Sequence, residues 1–216
     1  MTTMRTALRA ALRTTLTALA LPILLASSLS AQQPRPGIVD VTGRSRQGFW
    51  VSLGFGGGAE AVNLDGDGLG YSDELTEPTM QLRIGGTLNQ HIRLGGEFSS
   101  WFHSIRDNAS ATSALESVSG VFGIIQYYPW SRAGLYLKGG IGLGRSAVDY
   151  EGGPTISDVG FAAVVGAGYD IRLGRHFALT PTVDFQAHNY SGAQGGGYRE
   201  RIRSIGLGVT YQAGGF

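Results

Sequence analysis

The sequence predicts an all-β protein, an eight-stranded antiparallel up-and-down transmembrane β-barrel. Three observations predict it. From Phe49 to Tyr211 side-chain polarity alternates with period two in segment after segment. The odd-numbered segments start at Phe49, Ile92, Leu135 and Phe177, intervals of 43, 43 and 42 residues, so a hairpin repeats four times. The joints are alternately short (89–91, 129–133, 172–176) and long (58–78, 103–114, 146–158, 189–200), the asymmetry of a barrel with tight turns at one rim and loops at the other. A propeller blade has a similar period but needs four strands per repeat.

The strands follow in order. The first sets Phe49, Val51, Leu53 and Phe55 against Trp50, Ser52, Gly54 and Gly56; the second sets Met80, Leu82, Ile84 and Leu88 against Gln81, Arg83, Gly85 and Thr87. In the third, Ile92, Leu94, Gly96 and Phe98 oppose Arg93, Gly95, Glu97 and Ser99. The fourth, from about Leu115 to Tyr128, has weak contrast; sending Ser117, Ser119 and Gly123 inward places Val118, Phe122, Ile124 and Tyr128 outward. The fifth sets Leu135, Leu137, Ile141 and Leu143 against Tyr136, Lys138, Gly140 and Gly142. In the sixth, Phe161, Ala163, Val165, Ala167, Tyr169 and Ile171 oppose Gly160, Ala162, Val164, Gly166, Gly168 and Asp170. Phe177, Leu179, Val183 and Phe185 oppose Thr180, Thr182, Asp184 and Gln186 in the seventh, and Ile205, Leu207, Val209 and Tyr211 oppose Ser204, Gly206, Gly208 and Thr210 in the last.

Size and charge decide which face is inside. Eight strands of Phe, Leu, Ile and Val overfill so narrow a lumen, whereas glycine and small polar residues fit it. The opposite facing puts Arg83, Arg93 and Lys138 in hydrocarbon, at about 2–4 kcal/mol each near the midplane. The apolar face is therefore read as lipid-facing. Tyr127, Tyr128, Trp130, Tyr169 and Phe177 are expected to form one interfacial girdle, and Trp101, Phe102 and Tyr190 the other.

Ahead of the barrel, Arg5, Arg9 and Arg13 precede the apolar run Leu16 to Leu24 and the small-residue stretch Ala26 to Ala31, the three-part pattern of a secretory signal peptide. The run is short of the ~20 residues a spanning helix needs. The expected organisation is a signal peptide at 1–31, an N-terminal periplasmic linker at 32–47 and the barrel at 48–216. The chain has 35 glycines and no cysteine, which excludes a disulfide framework and thiolate metal sites. A net charge of +1 gives no reason to expect nucleic acid.

Tyr127-Tyr128-Pro129, Leu135-Tyr136-Leu137-Lys138-Gly139-Gly140-Ile141-Gly142 and Val165-Gly166-Ala167-Gly168-Tyr169-Asp170-Ile171 resemble segments of the small bacterial outer-membrane β-barrel family, the OmpA/OmpX/opacity-like group. The resemblance covers roughly residues 48 to 216. It implies residence in the bacterial outer membrane, contact with outer-membrane lipid and lipopolysaccharide, and insertion by the barrel-insertion machinery through the C-terminal strand. Members usually finish on an aromatic residue; this chain ends in Phe216, out of step with Val209 and Tyr211. A monomer is expected, with a structural or surface-interaction role such as envelope integrity or adhesion through long extracellular loops. The alternatives are a narrow channel for small solutes and, third, a lipid A-modifying enzyme. The chain is expected not to be an enzyme and to need no cofactor.

Candidate chemistry is sparse. Arg83, Arg93, Glu97, Lys138, Asp170 and Asp184 form an inward set with three charges of each sign, so ion pairs that fill the lumen are expected. With the turn centred on Gln90, Arg83 and Glu97 fall directly opposite one another, Cβ atoms ~4.5–5.5 Å apart. Asn63, Asp65, Asp67 and Glu74 have calcium-loop spacing, but Asn stands at the first position and no helices flank it; Asp-Gly repeats are also ordinary turn formers. His188 and Ser191, with Glu200 downstream, hint at a hydrolase. Their spacing of three sends His and Ser to opposite faces of a strand.

Overall fold

The computed structural model describes residues 46–64, 70–107, 112–191 and 196–216. All regular elements among them are strands: β1 (Phe49–Leu64), β2 (Leu75–Thr87), β3 (Ile92–Asp107), β4 (Thr112–Tyr127), β5 (Leu135–Tyr150), β6 (Thr155–Tyr169), β7 (Ile171–Arg172), β8 (Phe177–Tyr190) and β9 (Tyr198–Gln212). Each pairs antiparallel with its neighbours, and β6 pairs with β8 to close the ring. The two-residue β7 is the remainder of the sixth stave beyond Asp170 and pairs with β8, so the barrel has eight staves. Closure leaves no unpaired strand edge, the condition for backbone to cross hydrocarbon.

The start of β1, the end of β9 and the tight turns lie at one end, the turn end. Asn89 closes its turn by accepting hydrogen bonds from the backbone amides of His91 and Ile92 through Oδ1, at 2.8 and 3.0 Å, an Asx-type cap. The other end is the loop end. There the strands run further than polarity alternation suggests: β1 continues to Leu64, β3 to Asp107 and β5 to Tyr150. The segments read as long loops at 58–78, 103–114 and 146–158 are therefore more than half strand, whereas 189–200 is strand only at its two ends. Period-two contrast needs one apolar surround, and it fades where the barrel rises above the apolar belt and both faces are polar. Through that belt, Phe55, Val121, Ile141, Leu143, Val165, Val183 and Ile205 are all exposed on the outside.

The facing read for the fourth strand is reversed in the structure. Phe122 is 1% exposed and Val121 62%; Val118, Ile124 and Tyr128 are likewise buried, and Ile125 and Tyr127 exposed. Both faces of β4 are apolar, so polarity cannot orient it, and register does. Gln126 is the Cα partner of Arg93 and of Lys138, which carries Ile124 and Phe122 inward with it. The neighbouring glycines make room: a Cβ at Gly140 would stand 2.8 Å from Ile124 Cγ2.

The girdles change for the same reason. Tyr127, Trp130, Tyr169 and Phe177 are exposed near the turn end, but Tyr128, Trp101 and Tyr190 are fully buried. Trp101 shares its face with Glu97 and Ser99, and its indole N–H donates to the Gly58 carbonyl at 2.8 Å; a buried indole needs such an acceptor. Because the chain has no cysteine, single-cysteine nitroxide labels test the facing cleanly. Val121→Cys should show high collision with oxygen in a bilayer and Ile124→Cys low collision. Val121→Arg should cost about 2–4 kcal/mol of barrel stability in vesicles.

Candidate functional site

The lumen holds the chemistry of this chain, in groups of buried charged and polar side chains placed along its length. At the turn end, Arg93 Nη1 lies 3.2 Å from Asp170 Oδ2. Arg93 also donates to the Tyr128 hydroxyl and to Gln212 Oε1. Asp170 accepts from the Tyr128 hydroxyl at 2.9 Å and from Thr180 Oγ1 at 3.1 Å. It sits where β6 gives way to β7 and its backbone amide donates to the Gly134 carbonyl at 2.9 Å, so the break in the stave aims this carboxylate inward. Below it Arg46 donates to the carbonyls of Ser131, at 3.0 Å, and Ala133, and stacks 3.8 Å from the Tyr128 ring centroid. Phe216 is folded under the same end. Gly215, at φ 88°, makes the turn after β9; the Phe216 amide donates to the Arg175 carbonyl at 3.0 Å, and its ring centroid lies 5.4 Å from the Arg93 guanidinium.

Mid-lumen, Lys138 Nζ lies 2.6 Å from Glu97 Oε2 and 2.8 Å from Asp184 Oδ1. Arg83 and Glu97 are Cα partners, with Arg83 Nε 3.8 Å from Glu97 Oε2: an ionic contact longer than a hydrogen bond. The Arg83 guanidinium spends its hydrogen bonds elsewhere, donating to the Tyr136 hydroxyl at 2.7 Å and to Gln81 Oε1 at 3.2 Å. Gln81 Nε2 donates onward to Asp184 Oδ2 at 2.8 Å. The position of Asp184 requires glycine opposite it, since a Cβ on Gly166 would stand 2.0 Å from Asp184 Oδ1. The structure thus divides the six inward charges into Arg93 with Asp170, and Arg83 and Lys138 with Glu97 and Asp184. Trp50, Phe122, Ile124, Ala162 and Val164 form an apolar cluster inside the same barrel.

Sequence reasoning did not assemble the loop end of the lumen: it took His188 and Glu200 for a hydrolase and Tyr190 for a girdle, and passed over Glu60. Glu60, His188, Tyr190 and Glu200 are buried there; Ser146 Oγ donates to Glu200 Oε1 at 2.9 Å, the Tyr190 and Tyr198 rings stack at 4.7 Å, and Tyr198 donates to Asp158 at 3.1 Å. The signal was parity: Glu60 and Glu200 share the inward phase of Ser52 and Ser204. These groups lie above the apolar belt, level with outward Asn63, Asn189 and Arg201. Burial, then the nearby Glu200 and Glu116, pushes the Glu60 carboxyl up to about 7. Burial likewise pushes Glu200 up to about 7, against the lowering by its Ser146 and Tyr190 hydrogen bonds.

The remaining candidates are dispersed. Asp65 and Asp67 of the calcium-type spacing lie outside the described residues, and Glu74 meets Arg203 in an exposed ion pair. His188 turns inward with its ring nitrogens 3.3 Å from Gln186 Oε1 and 3.2 Å from the Tyr190 hydroxyl; Ser191 is exposed beyond the end of β8. Among the described residues no cluster of His, Asp or Glu has the arrangement of a metal site.

A closed eight-stave barrel with an apolar outer belt, an ion-paired lumen and both described chain ends at the tight-turn rim defines a transmembrane barrel of the bacterial outer-membrane class. The chain belongs to the outer membrane protein β-barrel domain family, whose model matches residues 19–212, and it resides in the bacterial outer membrane. Solved structures share the fold. Neisserial surface protein A is 16% identical, covering 78% of this chain and 99% of its own, with a TM-score of 0.52. The attachment invasion locus protein Ail of Yersinia pestis is 14% identical over 76% of this chain and 98% of its own, TM-score 0.49; OprG of Pseudomonas aeruginosa is 13% identical over 77% and 96%, TM-score 0.42. No curated protein matches the chain.

Two outcomes follow from the lumen. Lys138→Met leaves Glu97 and Asp184 without their shared cation and should cost about 3–5 kcal/mol in equilibrium unfolding; adding Glu97→Gln and Asp184→Asn should recover part of it, a non-additivity that a mutant cycle reads. The mouth acids have folded pKa values raised above 4.5. The stability they contribute is complete below pH 4.5 and is lost as pH rises through about 7. The urea midpoint should therefore fall over that window, and Glu60→Gln with Glu200→Gln should flatten the profile.

Proposed function

We propose that this protein is a closed outer-membrane scaffold whose work is structural or done at the cell surface, in envelope integrity or adhesion, rather than conduction or catalysis. One observation carries the reading: cross-lumen contacts from Arg93, Lys138, Arg83 and Gln81 tie distant staves together through the barrel interior. A narrow eight-stranded interior has room for side chains and little else. The staves continue past the apolar belt to Leu64, Asp107, Tyr150 and Tyr190, and it is at that end of the barrel that contact with other molecules is made.

The catalytic alternative has little support, because His188 hydrogen-bonds within the lumen and Ser191 stands outside it. Residues 1–31 fit a signal peptide and 32–47 a periplasmic linker leading to the barrel at 48–216. The alternating outward residues Ile205, Leu207, Val209 and Tyr211 offer the insertion machinery a C-terminal strand before closure, and the barrel is read as a monomer. The test is electrical. Wild-type protein in planar bilayers should show no resolved conductance steps, and Arg83→Ala with Lys138→Ala should introduce small ones. Steps in the wild type that these substitutions abolish would install the channel reading instead. On intact cells, an impermeant maleimide should label Ser191→Cys, and Gln90→Cys only after the outer membrane is permeabilised.

A further inference from the structure

Carboxylates from separate staves meet at the loop end of the lumen. Glu60 on β1, Glu77 on β2, Glu116 on β4, Asp158 on β6 and Glu200 on β9 all fall on the inward phase of their strands. Among the described residues that phase holds no lysine or arginine at this level: Arg106, Arg145, Arg199, Arg201 and Arg203 fall on the outward one. The histidines do not supply the missing charge. His103 Nδ1 lies 2.6 Å from Glu77 Oε1 and answers that acid alone. Burial pushes His188 down to about 4 and keeps it neutral.

Glu60 is the acid left over. Asp158 accepts from the Tyr198 hydroxyl and Glu200 Oε1 from Ser146 Oγ. Glu60 is only 6% exposed, yet it makes no hydrogen bond or ion pair with a described residue, and its Oε1 is buried without a partner. An ionised carboxylate only accepts, so what Glu60 lacks is a donor that carries positive charge. Its register places it opposite Ile202, with Glu200 opposite Val62. The two carboxylates are therefore diagonal neighbours on the seam strands, about 7–8 Å apart. Glu116 comes from the other side of the ring, and its charge acts on both.

The spacing of these acids selects the kind of cation. A metal ion gathers its oxygens into one coordination sphere, and among the described residues no three acids converge in that way. Charges spread around a narrow mouth suit a chain that carries several positive groups at intervals, each donating charge-assisted hydrogen bonds. The stacked rings of Tyr190 and Tyr198, Cα partners next to His188 and Glu200, give the ammonium groups of such a chain a face to lie on.

We propose that the loop-end mouth of the lumen is a binding site for a linear aliphatic oligoamine, its ammonium groups held by Glu60, Glu200 and Glu116. The site goes beyond the scaffold reading without opening the lumen, because Lys138 stays paired with Glu97 and Asp184 beneath it. Protons and amine compete for it. Glu60 and Glu200 ionise only near pH 7, so an amine that favours their charged forms releases protons when it binds near neutrality.

Isothermal titration calorimetry of the folded protein in non-ionic detergent, with spermidine as the probe, tests the site. At about pH 8 one spermidine should bind per barrel, and affinity should fall about tenfold or more at about pH 5.5. Near neutral pH the heat should vary with the ionisation enthalpy of the buffer. Glu60→Gln with Glu200→Gln should weaken binding about tenfold or more and remove that buffer dependence; Glu116→Gln should weaken binding on its own. Asp73→Asn, exposed at the same end, should leave binding unchanged. Propylamine should bind far more weakly, and millimolar calcium should not compete. No binding by the wild type, undiminished binding by the double variant, an equal loss in Asp73→Asn, or displacement by calcium would each overturn the site. Heat-modifiable migration reports folding; if the double variant does not fold, Glu116→Gln and the pH dependence decide. The planar-bilayer test of the closed lumen is independent of these results.

Discussion

A charged amine in the middle of a membrane barrel has no water to turn to, and Lys138 answers that constraint by lying between two carboxylates from staves far apart around the ring. Glu97 comes from β3 and Asp184 from β8, each two staves from β5, so the contact is made only when the sheet curves around the lumen. The gain is the difference between a compensated and an uncompensated buried charge, a matter of several kcal/mol. Facing follows from it. A one-residue slip of any stave exchanges its two faces, moving Lys138 of β5 or Arg93 of β3 into lipid and Ile141 or Leu94 into the lumen. Register, closure and polarity are thus one constraint seen three ways.

Once the ionic groups are placed, the remaining volume is shared by apolar side chains and glycine. Trp50, Phe122, Ile124 and Val164 occupy what the charges leave, and the small residues facing them keep the tube from overfilling. Close packing of this kind resists deformation. At the turn end, Arg46, Phe216 and Gln212 draw the two described ends of the chain against the same Arg93 and Tyr128 group. Arg46 and Phe216 therefore pack at the turn end of the lumen, and Gln212 ties the end of β9 to Arg93 beside the seam between β1 and β9.

Most of the fold was legible in the sequence because lipid outside and a crowded polar lumen inside impose strong period-two contrast. Seven staves have a small or polar face against a large apolar one, so their orientation can be read without a partner strand. The eighth, β4, lacks that contrast: Val121 and Ile125 are as apolar as Phe122 and Ile124, and only Gln126, through its partners Arg93 and Lys138, reveals which way it turns. Aromatic residues misled for a related reason. Tyr128, Trp101 and Tyr190 have the chemistry of an interfacial belt, but their parity placed them inside, and there Trp101 and Tyr128 donate to Gly58 and Asp170. The paired lumen charges were legible as a set, since parity alone collects them. Their exact partners were not, because Lys138 reaches across the barrel to β3 and β8, distances that no local spacing encodes.

Above the apolar belt the same strands obey a different balance. On β9, Glu200 turns inward between Arg199 and Arg201, which turn outward, so one stretch of backbone carries an acid on its inner face and bases on its outer one. The two arrays relieve their internal repulsion by different routes. Inside, Glu60 and Glu200 sit in a confined space where the neutral form is favoured and a proton removes the charge. Outside, guanidinium groups do not deprotonate at physiological pH, so the arginines keep their charge, and Glu74 answers that of Arg203. A proton-buffered interior and a permanently cationic exterior follow from one alternating sequence, and they give the mouth of the barrel a pH dependence that its outer wall lacks.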